Sequence, residues 1–139
     1  FALDGIRDPG NLGTILRTLD RFGYRQVLCS EDCADFYQPK VINSSMGSFA
    51  RVSPHICDVS GYLSQTNRLV ISAEMEGLSI NDFVSNEKAV IVMGGESHGI
   101  RPEIQKYVDQ RITIPRYGAA ESLNVGVATG IIASYFKRF

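Results

Sequence analysis

Residues 88–99 read KAVIVMGGESHG, an apolar run that passes directly into a glycine-rich segment. After Lys88 the run is continuously apolar, which is typical of a central strand of a parallel sheet covered on both faces. A glycine-rich loop at the carboxyl end of such a strand is where α/β proteins bind ligands. The stretch therefore predicts the centre of an α/β fold and a ligand-binding loop directly after it.

Short apolar strands alternate with helical patterns along the rest of the chain. Strands are predicted at 1–3, 26–29, 69–72 and 89–93, and helices at 12–22 and 122–138. This alternation predicts an α/β fold with a mostly parallel sheet flanked by helices. The polar stretch 77–87 is too short for a domain linker, so residues 1–139 are expected to form one domain.

The composition is that of an ordinary globular protein. The 139 residues are 44% hydrophobic and 21% charged, which suits a single core. No apolar run approaches the roughly 20 residues of a membrane span, and the N-terminus lacks the layout of a signal peptide. We therefore expect a cytoplasmic protein without a membrane partner. Because the chain begins at Phe1 and not at Met, we also expect an upstream segment.

The net charge of −1 argues against a surface that binds nucleic acid by bulk electrostatics alone. Any such contact must be local, or it must pool the basic residues of two copies. Candidates for pooling are Arg17, Arg21, Arg25 and Arg51.

Three cysteines, Cys29, Cys33 and Cys57, make a disulfide framework improbable, since the number is odd and secretory features are absent. We expect buried, reduced thiols. A zinc site formed with His55 is the alternative, but the tight paired spacing of structural zinc sites is missing. The sequence therefore predicts no metal.

The first predicted helix has Leu12, Ile15, Leu16, Leu19 and Phe22 on one face, which leaves Gly13 and Arg17 on a different stripe. A turn signal, Asp8-Pro9-Gly10, precedes the helix. Asn11 is predicted as its N-cap.

The last predicted helix has an apolar face and a stripe of small residues. The apolar face consists of Leu123, Val127, Ile131 and Tyr135, and the small stripe of Gly126, Gly130 and Ser134. Each interior glycine costs up to about 1 kcal/mol relative to alanine, so a close contact with the sheet or with a second subunit is expected. Ser122 is predicted to cap this helix, with Asn124 in its first turn.

The glycine-rich segment fits neither common nucleotide-binding motif, because Glu96 replaces a required glycine of one and Ile100 the lysine of the other. Residues 95–99 do spell the G-x-S-x-G elbow of serine hydrolases, with Ser97 as nucleophile. That class needs a histidine later in the chain, whereas His98 lies inside the elbow itself. We therefore expect no labelling of Ser97 by a fluorophosphonate, and Glu96 becomes the residue to explain.

Together, three segments resemble the motifs of the SpoU/TrmH family of RNA 2′-O-ribose methyltransferases. The segments are D-P-x-N-x-G-x-x-x-R at 8–17, G-x-E-x-x-G at 94–99, and Ile114-Pro115 leading to S-L-N-V at 122–125. The resemblance covers nearly the whole chain and implies an α/β knot, the SPOUT fold with its deep C-terminal trefoil knot. It also implies S-adenosylmethionine as cofactor, tRNA or rRNA as substrate, a homodimer, and an N-terminal RNA-binding domain outside this chain.

The resemblance implies a role for each matching position. The catalytic set is Arg17, Asn11, Glu96, Ser122 and Asn124, and the cofactor-binding set is Gly94, Ile114, Leu123, Met93, Gly99 and Pro115. Since the pKa of arginine above about 12 keeps it charged, Arg17 is expected to hold the target phosphate and hydroxyl and to stabilise oxyanion character. In such enzymes the site is completed at the homodimer interface.

Four positions depart from the commonest family pattern. Gly95 replaces a frequent Asn, Ser97-His98 a usually glycine-led pair, Arg116 a Met and Gly126 a Ser. None of the changes removes a catalytic group, and Arg116 is expected to add an RNA phosphate contact. The alternative function is a non-catalytic RNA-binding protein of the same fold, which would not bind the cofactor.

Overall fold

The computed structural model describes residues 1–85 and 87–137, which form a six-stranded sheet flanked by helices. In chain order the elements are β1 (Ala2–Asp4), α1 (Pro9–Arg21), β2 (Gln26–Cys29), α2 (Pro39–Ser45), a 3-10 turn (Ser48–Ala50), β3 (Ser53–Ile56), α3 (Val59–Gln65), β4 (Leu69–Ser79), β5 (Ala89–Gly94), α4 (Pro102–Gln105), β6 (Gln110–Thr113) and α5 (Val125–Phe136). The strands lie in the order β3-β2-β1-β5-β4-β6. The paired strands are parallel, which confirms the predicted fold class.

Strand β5 lies inside the sheet, between β1 and β4, as the apolar run predicted. Ile91 and Met93 pack into the core on one face, and Val90 and Val92 pack into a second core on the other. The strand is therefore covered on both sides, which explains why it is apolar without alternation.

The other predicted strands differ at their ends. Strand β2 matches its prediction, β1 lies one residue later than predicted, and β4 continues to Ser79. Both Ala73 and Leu78 align with Ile112 of β6, so the residues between them bulge out of the ladder. The polar stretch expected to begin at residue 77 thus starts inside a strand.

Helix α1 begins earlier than predicted, and Asp8, not Asn11, is its N-cap. Pro9 occupies the first helical turn, and Asp8 Oδ1 accepts a hydrogen bond of 2.7 Å from the backbone nitrogen of Asn11. Proline is favoured at this point because it lacks the amide hydrogen that would go unsatisfied. Asn11 is therefore free of the capping role.

Gly13, which the sequence placed off the apolar face of α1, is buried. An ideal Cβ at this position would lie 2.5 Å from Ser44 Cβ and 2.7 Å from the carbonyl oxygen of Val41. Such distances are shorter than any side chain tolerates, so glycine at position 13 lets α1 and α2 pack backbone to backbone.

Helix α5 begins at Val125 and is capped by Asn124, so the prediction of Ser122 as cap is wrong. The predicted end at residue 138 lies outside the described residues. The predicted apolar stripe faces outward: Leu123, Val127 and Ile131 are 47%, 52% and 40% exposed. Helix α5 is apolar on most of its circumference, so periodicity could not identify the buried face.

The small-residue stripe of α5 packs on α1 of the same chain. An ideal Cβ on Gly126 would lie 2.9 Å from Thr14 Cγ2, and one on Gly130 would lie 3.6 Å from Thr18 Cγ2. A close contact between two helices of one chain therefore offsets the cost of these glycines.

No helix in the described ranges is long and apolar enough to cross a membrane.

Candidate active site

The carboxyl ends of β1 and β5 lie side by side at the centre of the sheet, where Asp4 is aligned with Gly94. Strands β2 and β3 extend the sheet on one side of this pair, and β4 and β6 on the other. The chain order reverses here, and a crevice at such a switch point is the usual ligand site of open α/β sheets. The segment that begins α1 and the glycine loop at 94–100 both start from this edge.

Three of the predicted catalytic side chains form a hydrogen-bonded cluster at this edge. Asn124 Nδ2 donates to Asn11 Oδ1 at 2.8 Å and to Glu96 Oε1 at 3.1 Å. Each residue comes from a different motif of the sequence. The structure therefore joins all three motifs through a single amide group.

The orientation of Asn124 is fixed by its role as the N-cap of α5. Its Oδ1 accepts hydrogen bonds from the backbone nitrogens of Gly126 at 2.9 Å and Val127 at 3.4 Å. Because the oxygen is held by the helix, the nitrogen of the same amide must face Asn11 and Glu96. Capping and site assembly are thus two uses of one side chain.

The glycine loop is folded tightly onto itself and onto β1. Gly99 donates from its backbone nitrogen to the oxygen of Gly95 at 2.9 Å. An ideal Cβ on Gly94 would lie 2.3 Å from the carbonyl carbon of Gly99, and one on Gly95 would lie 2.5 Å from the oxygen of Gly5. Gly99 has φ of +62°, which favours glycine as well. A side chain at position 94 or 95 would therefore clash with the backbone, and the conformation at position 99 favours glycine.

Two predicted catalytic residues lie outside the cluster. Arg17 is exposed on α1, and Ser122 is exposed in the loop before α5. None of the hydrogen bonds found in the described part of the chain joins either residue to Asn124. Their exposure leaves both side chains accessible to a ligand, and their roles stay predictions.

The predicted cofactor-binding residues fall into two groups. Ile114 and Pro115, which follow β6, are half-buried, and Leu123 is 47% exposed, so these apolar side chains are accessible. Met93 is only 2% exposed and belongs to the core. Any contact of Met93 with a ligand must therefore come from its backbone.

Ser97 and His98 form a pair that sequence reasoning missed. Ser97 Oγ lies 2.6 Å from His98 Nδ1, although the residues are adjacent in sequence. A hydrolase also needs a group that orients the other ring nitrogen, and both side chains here are exposed. The pair alone does not make a nucleophilic site.

Cys29 ends β2, Cys33 follows it, and Cys57 follows β3. Within residues 1–85 and 87–137 there is no group of three or more potential ligands of His, Cys, Asp or Glu type close enough to hold a metal ion. All three thiols are free; Cys29 is buried, whereas Cys33 and Cys57 are half-buried. A hydrogen bond from Cys29 lowers the pKa of Cys33 to about 6, although burial acts in the opposite direction and raises this pKa.

Sequence reasoning also missed Asp4 and Arg101, which lie on either side of the glycine loop. Asp4 ends β1, and its side chain is fully buried. Arg101 directly follows the glycine loop and forms an ion pair with Asp4. An acidic residue among apolar neighbours at a strand end was the available signal, since a buried charge needs a partner.

The profile of the SpoU rRNA methylase family matches residues 1–134, and the chain belongs to this family. It is similar to the 23S rRNA (guanosine-2′-O-)-methyltransferase RlmB of Neisseria meningitidis, with 33% identity over 99% of this chain and 57% of the relative.

Solved structures agree with this membership. An S-adenosylmethionine-bound rRNA methyltransferase from Sinorhizobium meliloti matches with a TM-score of 0.91 and 28% identity, over 99% of this chain and 54% of that one. A TrmH-family protein from Porphyromonas gingivalis matches with a TM-score of 0.88 and 40% identity, over 99% and 58%. The predicted family is confirmed, and the knot stays a prediction. The chain spans about half the length of the curated relatives it matches.

Proposed function

We propose that residues 1–139 are the catalytic domain of an S-adenosylmethionine-dependent RNA 2′-O-methyltransferase that acts on rRNA or tRNA. The observation that supports this most strongly is the cluster of Asn11, Glu96 and Asn124, which assembles the three motifs at the switch point. The names of the relatives supply the reaction class. A second domain that selects the RNA is proposed in the complete protein, which we expect in the cytoplasm.

The residues present at this edge fit S-adenosylmethionine. Ile114, Pro115 and Leu123 offer accessible apolar surface for an adenine, and Glu96 and Asn124 offer polar groups. Gly94 and Gly99 would hold the cofactor through their backbone, since glycine permits close approach. When bound, the cofactor supplies a methyl group on a positively charged sulfur.

Arg17 is proposed to act on the RNA. A ribose 2′-hydroxyl is a weak nucleophile that needs accurate placement and stabilisation of the charge it develops. Arg17 is exposed on the helix that carries Asn11, and a guanidinium binds phosphate oxygens in a bidentate way. It would therefore position the target nucleotide and stabilise the charge that develops on the oxygen.

Asn11, Glu96, Ser122 and Asn124 are proposed as orienting groups. The amide of Asn124 connects Asn11 on α1 to Glu96 in the glycine loop. A movement of α1 would therefore displace the glycine loop, and a movement of the loop would displace α1. Ser122, two residues before Asn124, would contact the nucleotide or the cofactor from the loop that follows β6.

A second copy of this chain is the proposed partner of α5. Leu123, Val127 and Ile131 form an exposed apolar stripe on this helix. Beside it lies a cavity of about 410 Å³, lined in part by Ile80 and Gly130. Apolar helix surface of this kind favours burial in an interface. Two copies would also pool their basic residues, which would strengthen RNA binding by a chain whose net charge is −1.

The proposal is tested by incubating the purified protein with methyl-labelled S-adenosylmethionine and total rRNA or tRNA, followed by nucleoside mass spectrometry. We expect one labelled 2′-O-methylnucleoside, and we expect its site to be unmethylated in RNA from cells that lack the gene. Cofactor binding without methylation of any RNA would contradict the catalytic proposal. RNA binding without cofactor binding would establish the non-catalytic alternative.

A further inference from the structure

Asp4 is a buried carboxylate at the centre of the sheet edge, and its side chain is 0% exposed. A buried charge is costly unless it is paired and hydrogen-bonded. Arg101 is the partner: its Nε donates to Asp4 Oδ1 at 2.6 Å, and its Nη2 pairs with the same oxygen. The other oxygen, Oδ2, accepts from the backbone nitrogen of Arg101 at 2.8 Å.

The contacts of Asp4 hold both ends of the glycine loop. At the start of the loop, the backbone nitrogen of Gly95 donates to the carbonyl oxygen of Asp4 at 2.9 Å. At its end, the backbone and side chain of Arg101 bind the carboxylate of the same residue. One residue of β1 therefore fixes where the loop leaves the sheet and where it returns.

A second carboxylate holds Arg101 from the side of β2. Arg101 Nη2 lies 3.3 Å from Asp32 Oδ1, and Ser30 Oγ donates to the same oxygen at 2.7 Å. Ser30 Oγ in turn accepts from the backbone nitrogen of Gly5 at 2.8 Å. Hydrogen bonds from Ser30 and then Arg7 lower the pKa of Asp32, so it is charged at neutral pH. The guanidinium thus lies between the carboxylates of Asp4 and Asp32, and Glu103 Oε1 lies 3.8 Å from its Nε.

We propose that Asp4 and Arg101 are positioning residues that set the shape of the glycine loop for the cofactor. The proposal rests on the proposed function, because it takes this loop as part of the S-adenosylmethionine site. Neither residue is required to touch the cofactor. Their effect is carried by Gly95 and by the return of the chain after Ile100, the two points at which the loop is held.

The test compares Arg101→Gln with Arg51→Gln as a matched control. Arg51 also binds an aspartate through two nitrogens, with its Nε 2.8 Å and its Nη2 2.7 Å from Asp20 Oδ2, but it lies beside the 3-10 turn, which is not part of the loop. We expect Arg101→Gln to weaken S-adenosylmethionine binding by about tenfold or more in calorimetry. The control should bind within about twofold of the original protein, because the Arg51–Asp20 pair connects the region of the 3-10 turn to α1 and not to the glycine loop.

Kinetics and a conservative variant separate positioning from a merely structural role. In Arg101→Gln we expect the KM for the cofactor to rise about tenfold, with a smaller fall in kcat, whereas partial unfolding would lower the apparent kcat alone. Arg101→Lys keeps the charge but not the planar fork. It should recover thermal stability more fully than cofactor affinity. Equal recovery of both quantities would show that the pair is only structural.

Hydrogen exchange tests the loop without any cofactor. In peptides covering residues 94–101, we expect Arg101→Gln to speed amide exchange by about tenfold, with exchange in β2 unchanged. Unchanged exchange in the loop, or unchanged cofactor affinity in folded Arg101→Gln, would overturn the proposal. If the original protein binds no cofactor, the proposed function fails, and so does the proposed effect of Asp4 and Arg101 on cofactor binding. The exchange measurement still decides whether these two residues fix the loop.

Discussion

Asn124 Nδ2 lies 2.8 Å from Asn11 Oδ1, which joins two side chains that are 113 positions apart in sequence. Asn11 is in the first turn of α1, and Asn124 caps α5. The same pair of helices packs closely where Gly126 meets Thr14. The hydrogen bond between the two amides therefore depends on helix packing that a larger residue at position 126 would disturb.

Asn124→Ala should lower both stability and activity. Loss of the cap is expected to cost about 0.5–2 kcal/mol of unfolding free energy, measured by urea denaturation. Asn124→Ser is the matched control, since serine caps a helix as well as asparagine but lacks the amide that reaches Asn11 and Glu96. We expect Asn124→Ser to keep most of the stability and to lose methyl transfer. Full activity in the serine variant would show that only the cap matters.

Arg17→Ala should abolish methyl transfer and leave cofactor affinity within a few-fold of the original protein. Arg17 is exposed on α1, so the expected change in unfolding free energy is within about 0.5 kcal/mol. Methyl transfer to RNA and calorimetric binding of the cofactor are the two measurements. Arg68→Ala, at an exposed position just before β4, controls for the loss of a positive charge. Equal activity of the two variants would exclude a specific role for Arg17.

Gly94→Ala should distort the glycine loop, because the added Cβ would lie 2.3 Å from the carbonyl carbon of Gly99. Overpacking of this kind costs about 1–3 kcal/mol, and we expect cofactor binding to be lost in the protein that remains folded. Gly118→Ala is the control, since no atom lies within 4 Å of its ideal Cβ. Thermal unfolding and calorimetry compare the two variants. A Gly94→Ala protein with normal affinity would contradict the loop geometry.

Val127→Glu should convert a dimer into monomers. Val127 is 52% exposed at the middle of the apolar stripe of α5, and two glutamates facing each other across an interface would be buried without partners. Sedimentation velocity measures the change. Ile56→Glu, at a 64% exposed position on edge strand β3, should leave the assembly unchanged. A monomeric original protein would refute the proposed dimer.

Cys33 should react with iodoacetamide at lower pH than Cys57, although both are half-buried. The hydrogen bond from Cys29 lowers the pKa of Cys33 to about 6, whereas burial, followed by the charge of Asp58, raises the pKa of Cys57. Since the thiolate is the reactive form, alkylation of Cys33 should accelerate as pH passes about 6. Peptide mass spectrometry follows each site. Reaction of Cys57 at the lower pH would contradict the assignment.

The sequence predicted strands β1, β2, β4 and β5 but did not predict β3 or β6, and it misplaced the start of both predicted helices. A continuous apolar run is a strong signal, so β5 was placed correctly. The caps were misplaced because Asp8 and Asn11 are both good capping residues, as are Ser122 and Asn124. Only the structure shows which oxygen reaches the helix amides. Local preference cannot decide between two candidates of equal propensity.

The site was predicted through motifs and not through geometry. The resemblance assigned Asn11, Glu96 and Asn124 to one site, and in the structure Asn124 is hydrogen-bonded to the other two side chains. Their catalytic roles stay predictions. Asp4 and Arg101 were not found because their pairing spans 97 positions and follows no local period. Contacts of this kind depend on strand order, which the sequence pattern did not specify.

Strand β1 pairs with β5, so Ala2 is aligned with Val92. Such long-range pairing closes a large loop before any contact compensates for the lost chain entropy, which makes folding slow. During synthesis, residues 2–4 cannot pair with β5 until the segment around residue 92 has been made, so the middle of the sheet forms late. Until that pairing forms, the unpaired edges of the early strands are exposed. We therefore expect refolding yields to fall with rising protein concentration, as incomplete sheets associate with each other.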